Sequence, residues 1–162
     1  MSDSEKEKKL REAIGQVVLA FSKLESAIDR SIWIMISDEE RIGQIVTGNL
    51  NFSLKIDLLF SLIRHYDHEV DDIRMKKLRT TLDKCREDRN GIMHSLFTPS
   101  GRQISYSARA KKGLRFNYSE VEIEKVEVIV EMIKNAEKKL LNFIVVSDFR
   151  DKLFPRLLAH FF

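Results

Sequence analysis

The chain of 162 residues carries 28 Lys+Arg against 25 Asp+Glu, a net charge of +3, with 43% hydrophobic and 33% charged residues. That length is one domain's worth, domain 1–162, and the small net charge does not by itself demand nucleic acid. Only 6 Gly and 2 Pro are present, too few for the many tight turns of a sandwich or barrel, so long helices are expected. The single cysteine, Cys85, excludes an intrachain disulfide framework and a cysteine-based zinc site. The charged start, MSDSEKEKK, lacks the apolar stretch of a signal peptide, and no apolar run approaches the roughly 20 residues of a spanning helix. The expectation is a cytoplasmic protein with no membrane partner.

Leu10, Ile14, Val17, Phe21, Leu24, Ile28 and Ile32 recur at steps of three and four, which predicts one long amphipathic helix over residues 4–37. Ser37-Asp38 offers a cap for a short second helix, Glu39 to Val46, ending near Gly48. A third helix over 53–66 has Leu58, Leu59, Leu62, Ile63 and Tyr66 on its buried side. Asp71-Asp72 puts negative charge at the start of a fourth, where the helix dipole favours it. That helix carries a stripe of Leu78, Leu82, Cys85, Arg89, Ile92 and Leu96.

The period then changes. Ile104 and Tyr106 alternate with polar neighbours, as do Leu114, Phe116 and Tyr118, which predicts one small β-hairpin over 103–118. Ser119 with Glu122 reads as a capping box opening a last helix over 120–147, with Val121, Val128, Ile129, Met132, Ile133, Leu140 and Ile144 as core candidates. The apolar tail of Leu157, Leu158, Phe161 and Phe162 is expected to dock on the bundle or on a second subunit. The fold class expected is all-α, an antiparallel up-and-down helical bundle of four main helices plus short helices, with one small β-hairpin.

Three charges break the apolar stripes. Arg89 stands where the fourth helix asks for Leu or Ile, and a buried guanidinium needs a partner, a polar cavity or an interface. Glu25 lies on nearly the same face as Phe21 and Ile28, and Lys55 precedes Leu58, Leu59 and Leu62 by three, four and seven residues. The simpler account makes each a boundary residue whose stem lies along the core. Three intrusions in three helices also fit one shared polar cluster.

Beside Arg89 the chain reads Arg89-Asn90-Gly91-Ile92-Met93-His94. Chance supplies an Arg-x4-His about 0.3 times in a chain of this composition, and requiring Asn after the Arg lowers that to about 0.01. This string at the end of a bundle helix resembles the Arg-x4–6-His signature of HEPN domains (higher eukaryotes and prokaryotes nucleotide-binding). In that family the residue after the Arg is typically polar, as Asn90 is. Phe21-Ser-Lys-Leu-Glu25 and Ser53-Leu-Lys-Ile-Asp-Leu-Leu59 are similar to stretches of bacterial members, so the resemblance covers residues 10–97, with the hairpin as an insertion.

The resemblance implies a metal-independent endoribonuclease acting as a homodimer, with no cofactor. In bacteria it implies a toxin paired with a nucleotidyltransferase-like antitoxin, or a part of anti-phage defence. Arg89, Asn90 and His94 would be catalytic, with Glu25 and Lys55 orienting or neutralising Arg89. The residue types suit this chemistry, because the ribose 2′-hydroxyl supplies the nucleophile, His titrates near neutrality, and Arg is a forked permanent cation. The hairpin adds Arg102, Arg109, Lys111, Lys112 and Arg115 with no acid among them, interleaved with Tyr106, Phe116 and Tyr118. Cations beside aromatics can hold phosphates and stack bases, so these five are RNA-binding candidates; a solvated hairpin with aromatics covering the core is the simpler account. The alternative class is a non-catalytic, dimeric interaction module. A metal site is the weakest reading, since only His65 and His68 have ligand-like spacing.

Overall fold

The computed structural model describes residues 3–37, 39–97, 102–109, 113–120 and 122–146. Five helices dominate these residues: α1 (Asp3–Ile36), α2 (Glu40–Thr47), α3 (Phe52–Tyr66), α4 (Asp72–Met93) and α5 (Ile123–Val146). Three strands, β1 (Leu96–Phe97), β2 (Arg102–Arg109) and β3 (Gly113–Glu120), lie between α4 and α5. Among the described residues no helix is long and apolar enough to cross a membrane.

At 1.5 Å per residue α1 runs about 51 Å and serves as the spine. It touches each of the other four helices, α5 most extensively. Its stripe behaves as the periodicity requires: Leu10, Val17, Phe21, Leu24, Ile28 and Ile32 are buried and Ile14 is partly so. Facing them are Ile56, Leu59 and Ile63 of α3, Leu78, Leu82 and Cys85 of α4, and Val130, Ile133, Ala136, Leu140 and Ile144 of α5. Single contacts then set the register of the smaller pieces on this spine. Trp33 Nε1 donates to Thr47 Oγ1 at 2.8 Å, and the indole lies so close to α2 that a Cβ on Gly43 would come within 2.4 Å of it. Tyr66 donates its hydroxyl to the Met35 carbonyl at 2.6 Å, tying the end of α3 to the end of α1.

Side chains placed in the linkers start two of the helices. Asn51 Oδ1 accepts from the Leu54 amide at 3.1 Å and opens α3. Asp71 Oδ1 accepts from Ile73 and Arg74 at 2.8 and 3.1 Å and opens α4, relieving donors that a helix cannot satisfy itself.

Several sequence expectations are corrected. The N-cap of α2 is Glu39 without a side-chain cap; Ser37 Oγ accepts from the Glu39 amide at 3.0 Å, so the serine shapes the linker. The α4 stripe stops at Ile92, because the chain leaves helical geometry at His94 (φ −97°, ψ 12°), and Leu96 becomes the first residue of β1. The strands expected over 103–118 are β2 and β3, paired antiparallel, and a third strand not expected, β1, joins them in a sheet of order β1-β2-β3, with Leu96 and Phe97 pairing with Ile104 and Gln103. Ser119 lies in β3 opposite Gln103, ahead of the helix start; the first turn of α5 closes on the Glu122 carbonyl through the Lys125 amide at 2.9 Å. Val128 is 68% exposed, since the buried phase of α5 runs through Val126, Val130 and Ile133. Val121, the residues joining β2 to β3, and the C-terminal tail lie outside the described residues.

Candidate functional site

Two turns of α4 separate core from chemistry. Leu82 and Cys85 are buried, and Ile92 returns to the core; between them Arg86, Arg89 and Asn90 are half-buried. The three line a cavity of about 430 Å³. Its other walls are Phe21 and Glu25 of α1, and Asn51, Phe52 and Ser53 at the start of α3.

Arg89 solves the problem posed by its place on an apolar stripe in two ways. Its guanidinium stacks over the Phe21 ring, 5.3 Å from the centroid, where the ring quadrupole attracts a cation. Nη1 donates to Asn90 Oδ1 at 3.0 Å. Phe21 is held in turn by Phe52, with centroids 4.6 Å apart and a tilt of 39°. Among the described residues no carboxylate pairs with Arg89. Arg86, one turn earlier on the same face, donates from Nη1 to Ser53 Oγ at 3.1 Å, with Asp83 and Glu87 oxygens at 3.6 and 4.0 Å. Its Nε is buried without a hydrogen-bond partner.

Behind the cavity stands a second cluster. Lys55 is only 7% exposed, and its Nζ donates to Glu25 Oε1 at 2.9 Å and to Asp29 Oδ2 at 2.8 Å. Burial pushes the Lys55 ammonium toward neutrality, but the bonds to and charges of Asp29 and Glu25 outweigh it and hold the pKa above the ordinary lysine value. Burial raises the Asp29 carboxyl above its usual range, an effect Lys55 offsets only in part, and Asp29 Oδ1 is buried without a partner. Both directions agree physically. Lys55 faces two acids, whereas Asp29 faces one cation and a neighbouring acid.

The residues singled out in the sequence are thus distributed unevenly. Arg89, Asn90 and Glu25 share the cavity, and Lys55 sits directly behind it, anchoring Glu25. Lys55, itself a cation, cannot neutralise Arg89; it pairs with the carboxylates of Glu25 and Asp29. His94 is exposed at the end of α4, its amide bonded to the Asn90 carbonyl at 3.0 Å, and does not line the cavity. Arg102 pairs in register with Glu120, and Arg115 with Ser107. Arg109 pairs in register with Gly113 at the far end of the same ladder. Lys111 and Lys112 lie outside the described residues. Among the described residues no group of three His, Cys, Asp or Glu side chains could hold a metal, His65 and His68 included.

Arg86, Ser53, Asn51 and Asp29 escape the sequence reading, although two carry a signal. Arg86 is three residues before Arg89 and Asp29 four after Glu25, spacings that share a helix face.

The fold and site define a helical protein with a polar, arginine-lined cavity at the junction of three helices. Compared with protein-family models, curated proteins and solved structures, the chain matches none.

Proposed function

We propose that the chain is a HEPN-like, metal-independent endoribonuclease, one domain with its helices in an up-and-down bundle. The observation that carries this reading is Arg89, a guanidinium on a core stripe that is held by an aromatic ring and an amide and faces a polar cavity whose one acid, Glu25, is bonded to Lys55 and not to Arg89. A cation so placed is available to an anionic ligand, and the string Arg89-Asn90-x3-His94 at the helix end supplies the acid–base partner.

In the proposed reaction the ribose 2′-oxygen attacks the adjacent phosphorus and the 5′-oxygen leaves. The products carry 2′,3′-cyclic phosphate and 5′-hydroxyl ends. His94 moves a proton, from the attacking hydroxyl or to the leaving oxygen. Arg89 takes the charge that builds on the phosphorane oxygens, which its fork fits better than an ammonium would. Asn90 holds the Arg89 fork. Because His94 sits outside the cavity of its own chain, the reading includes a two-fold dimer in which the motifs of both protomers meet at one cleft. Cytoplasmic RNA is the substrate, and a nucleotidyltransferase-like antitoxin or a defence system is the setting that goes with it.

The separation of His94 from the Arg89 cavity is also the one observation that favours the other reading, a non-catalytic dimeric binding module. Incubating the purified protein with RNA and mapping the ends decides between them. Cleavage to cyclic-phosphate ends, unaffected by a chelator and absent on all-DNA substrate, supports the enzyme. RNA binding without cleavage leaves the module, and full activity in His94→Ala removes His94 from the chemistry.

A further inference from the structure

We infer that Arg86, with Ser53 and the first turn of α3, forms a second phosphate seat beside Arg89, so that the cavity grips the RNA backbone at two points. The identity of the ligand rests on the ribonuclease reading; the seat itself rests on geometry. Arg86 and Arg89 are the cavity's two guanidiniums, one turn apart, and the cavity's single acid, Glu25, already has one carboxylate oxygen bonded to Lys55. The carboxylates nearest Arg86 are same-helix neighbours at 3.6 and 4.0 Å, beyond hydrogen-bond distance of its guanidinium. Its firm bond is to a neutral hydroxyl, Ser53 Oγ, so the charge is oriented but not neutralised.

The start of α3 adds to this. Asn51 Oδ1 satisfies the Leu54 amide, while helix geometry leaves the Phe52 and Ser53 amides without intrahelical acceptors. The first turn of α3 also contains no acidic residue, so its partial positive charge stands beside the arginines unopposed. A larger cavity of about 620 Å³, lined by α3 and α4, makes the contrast. Its arginines are closed by carboxylates, Arg79 by Asp57 and Arg64 by Asp72. Ion pairs fill that groove, whereas the Arg86–Arg89 cavity has cationic donors to spare.

The test measures binding apart from cleavage. The full chain is titrated against a short fluorescent 2′-O-methyl RNA, which lacks the nucleophile and cannot be cut, at several salt concentrations. Arg86→Gln is expected to weaken binding about tenfold, as loss of one charge-assisted bond does, and to lower the slope of log affinity against log salt by about one. Ser53→Asp puts a carboxylate in the seat. It should abolish the Arg86 contribution while keeping or raising Tm, because an acid in the first turn suits the helix dipole. It therefore keeps the test valid should Arg86→Gln unfold. Lys138→Gln, on the exposed face of α5, should bind as the parent does. Inorganic phosphate should compete with the RNA on the parent and lose that effect on Ser53→Asp.

Parental affinity in folded Ser53→Asp overturns the seat even where the parent cleaves RNA. So does a parent that binds neither probe, or one that binds inorganic phosphate and no RNA. A parent that binds both probes through Arg86 and Ser53 but never cleaves RNA keeps the seat and removes the ribonuclease reading.

Discussion

Two clusters of charge lie against each other along α3, and they are built on opposite plans. Lys55 is almost wholly buried, and two carboxylates, Glu25 and Asp29, meet it at 2.9 and 2.8 Å. Arg86 and Arg89, at the other side of Glu25, are half-buried and bonded to a hydroxyl and an amide. Burying an ion is costly, and the fold answers that cost at Lys55 by pairing it with acids. At the arginines the answer is partial: orientation by Phe21, Ser53 and Asn90, with the charge left facing a cavity. A compensated cluster belongs to stability. A partly compensated one leaves cationic donors for an anionic ligand.

Substitutions can break this contrast. The largest effect is expected on chemistry: His94→Ala should lower RNA cleavage by about 10² to 10⁴, and Arg89→Ala by at least about 10², both read from initial rates. Arg89→Lys should recover little of the loss, since an ammonium cannot reproduce the fork. If Arg89→Ala instead unfolded the protein and left residual activity proportional to folded fraction, the two clusters would be alike in kind.

Lys55→Ala should do the reverse, destabilising the fold by about 3 kcal/mol in urea denaturation, because Asp29 and Glu25 would remain without their cation. Replacing Lys55, Glu25 and Asp29 together by Met, Gln and Asn should recover much of that loss. A drop of under about 0.5 kcal/mol in Lys55→Ala would place this cluster with exposed surface pairs.

The pH dependence sharpens the comparison further. Lys55 has a folded pKa above its ordinary 10.5, so its stabilisation is complete below that value and is lost as pH rises through the folded pKa. The parent's stability advantage over Lys55→Met should therefore hold at neutral pH and shrink above about pH 10.5. Asp29, raised above 3.8 chiefly by burial, should make stability fall as pH climbs through its folded pKa; Asp29→Asn should remove that fall. The smallest effect concerns Cys85, one turn before Arg89 and buried among apolar side chains. Burial pushes its thiol up to about 11, so it should resist a thiol-reactive dye at pH 8 until urea unfolds the chain.

Much of the fold is legible in the residues. The stripe from Leu10 to Ile32 is regular over six turns, and its helix, α1, ends within one residue of the expected boundary. The intruding charges Glu25, Lys55 and Arg89 are equally legible, because a polar residue in a regular apolar pattern needs no coordinates to stand out. Where the signals were local and short, they misled. Ser119-x-x-Glu122 satisfies a capping box, but Ser119 is held in a strand ladder, and pairing with Gln103 overrides the cap. Leu96 continues the α4 spacing, yet the helix ends three residues earlier and β2 recruits it. Val128 fits a helical repeat of the wrong phase.

The sequence by itself determined the helical class, the central spine and the identity of the charged intruders, because periodicity and composition are properties of the chain alone. Which charges meet was decided only in three dimensions. Glu25 and Lys55 stand 30 positions apart, and Arg86 and Ser53 stand 33 apart. The crossing of α1, α3 and α4 makes the first couple a closed ion pair and leaves the second an open grip. That distinction rests on who faces whom across packed helices, and no spacing along one helix contains it.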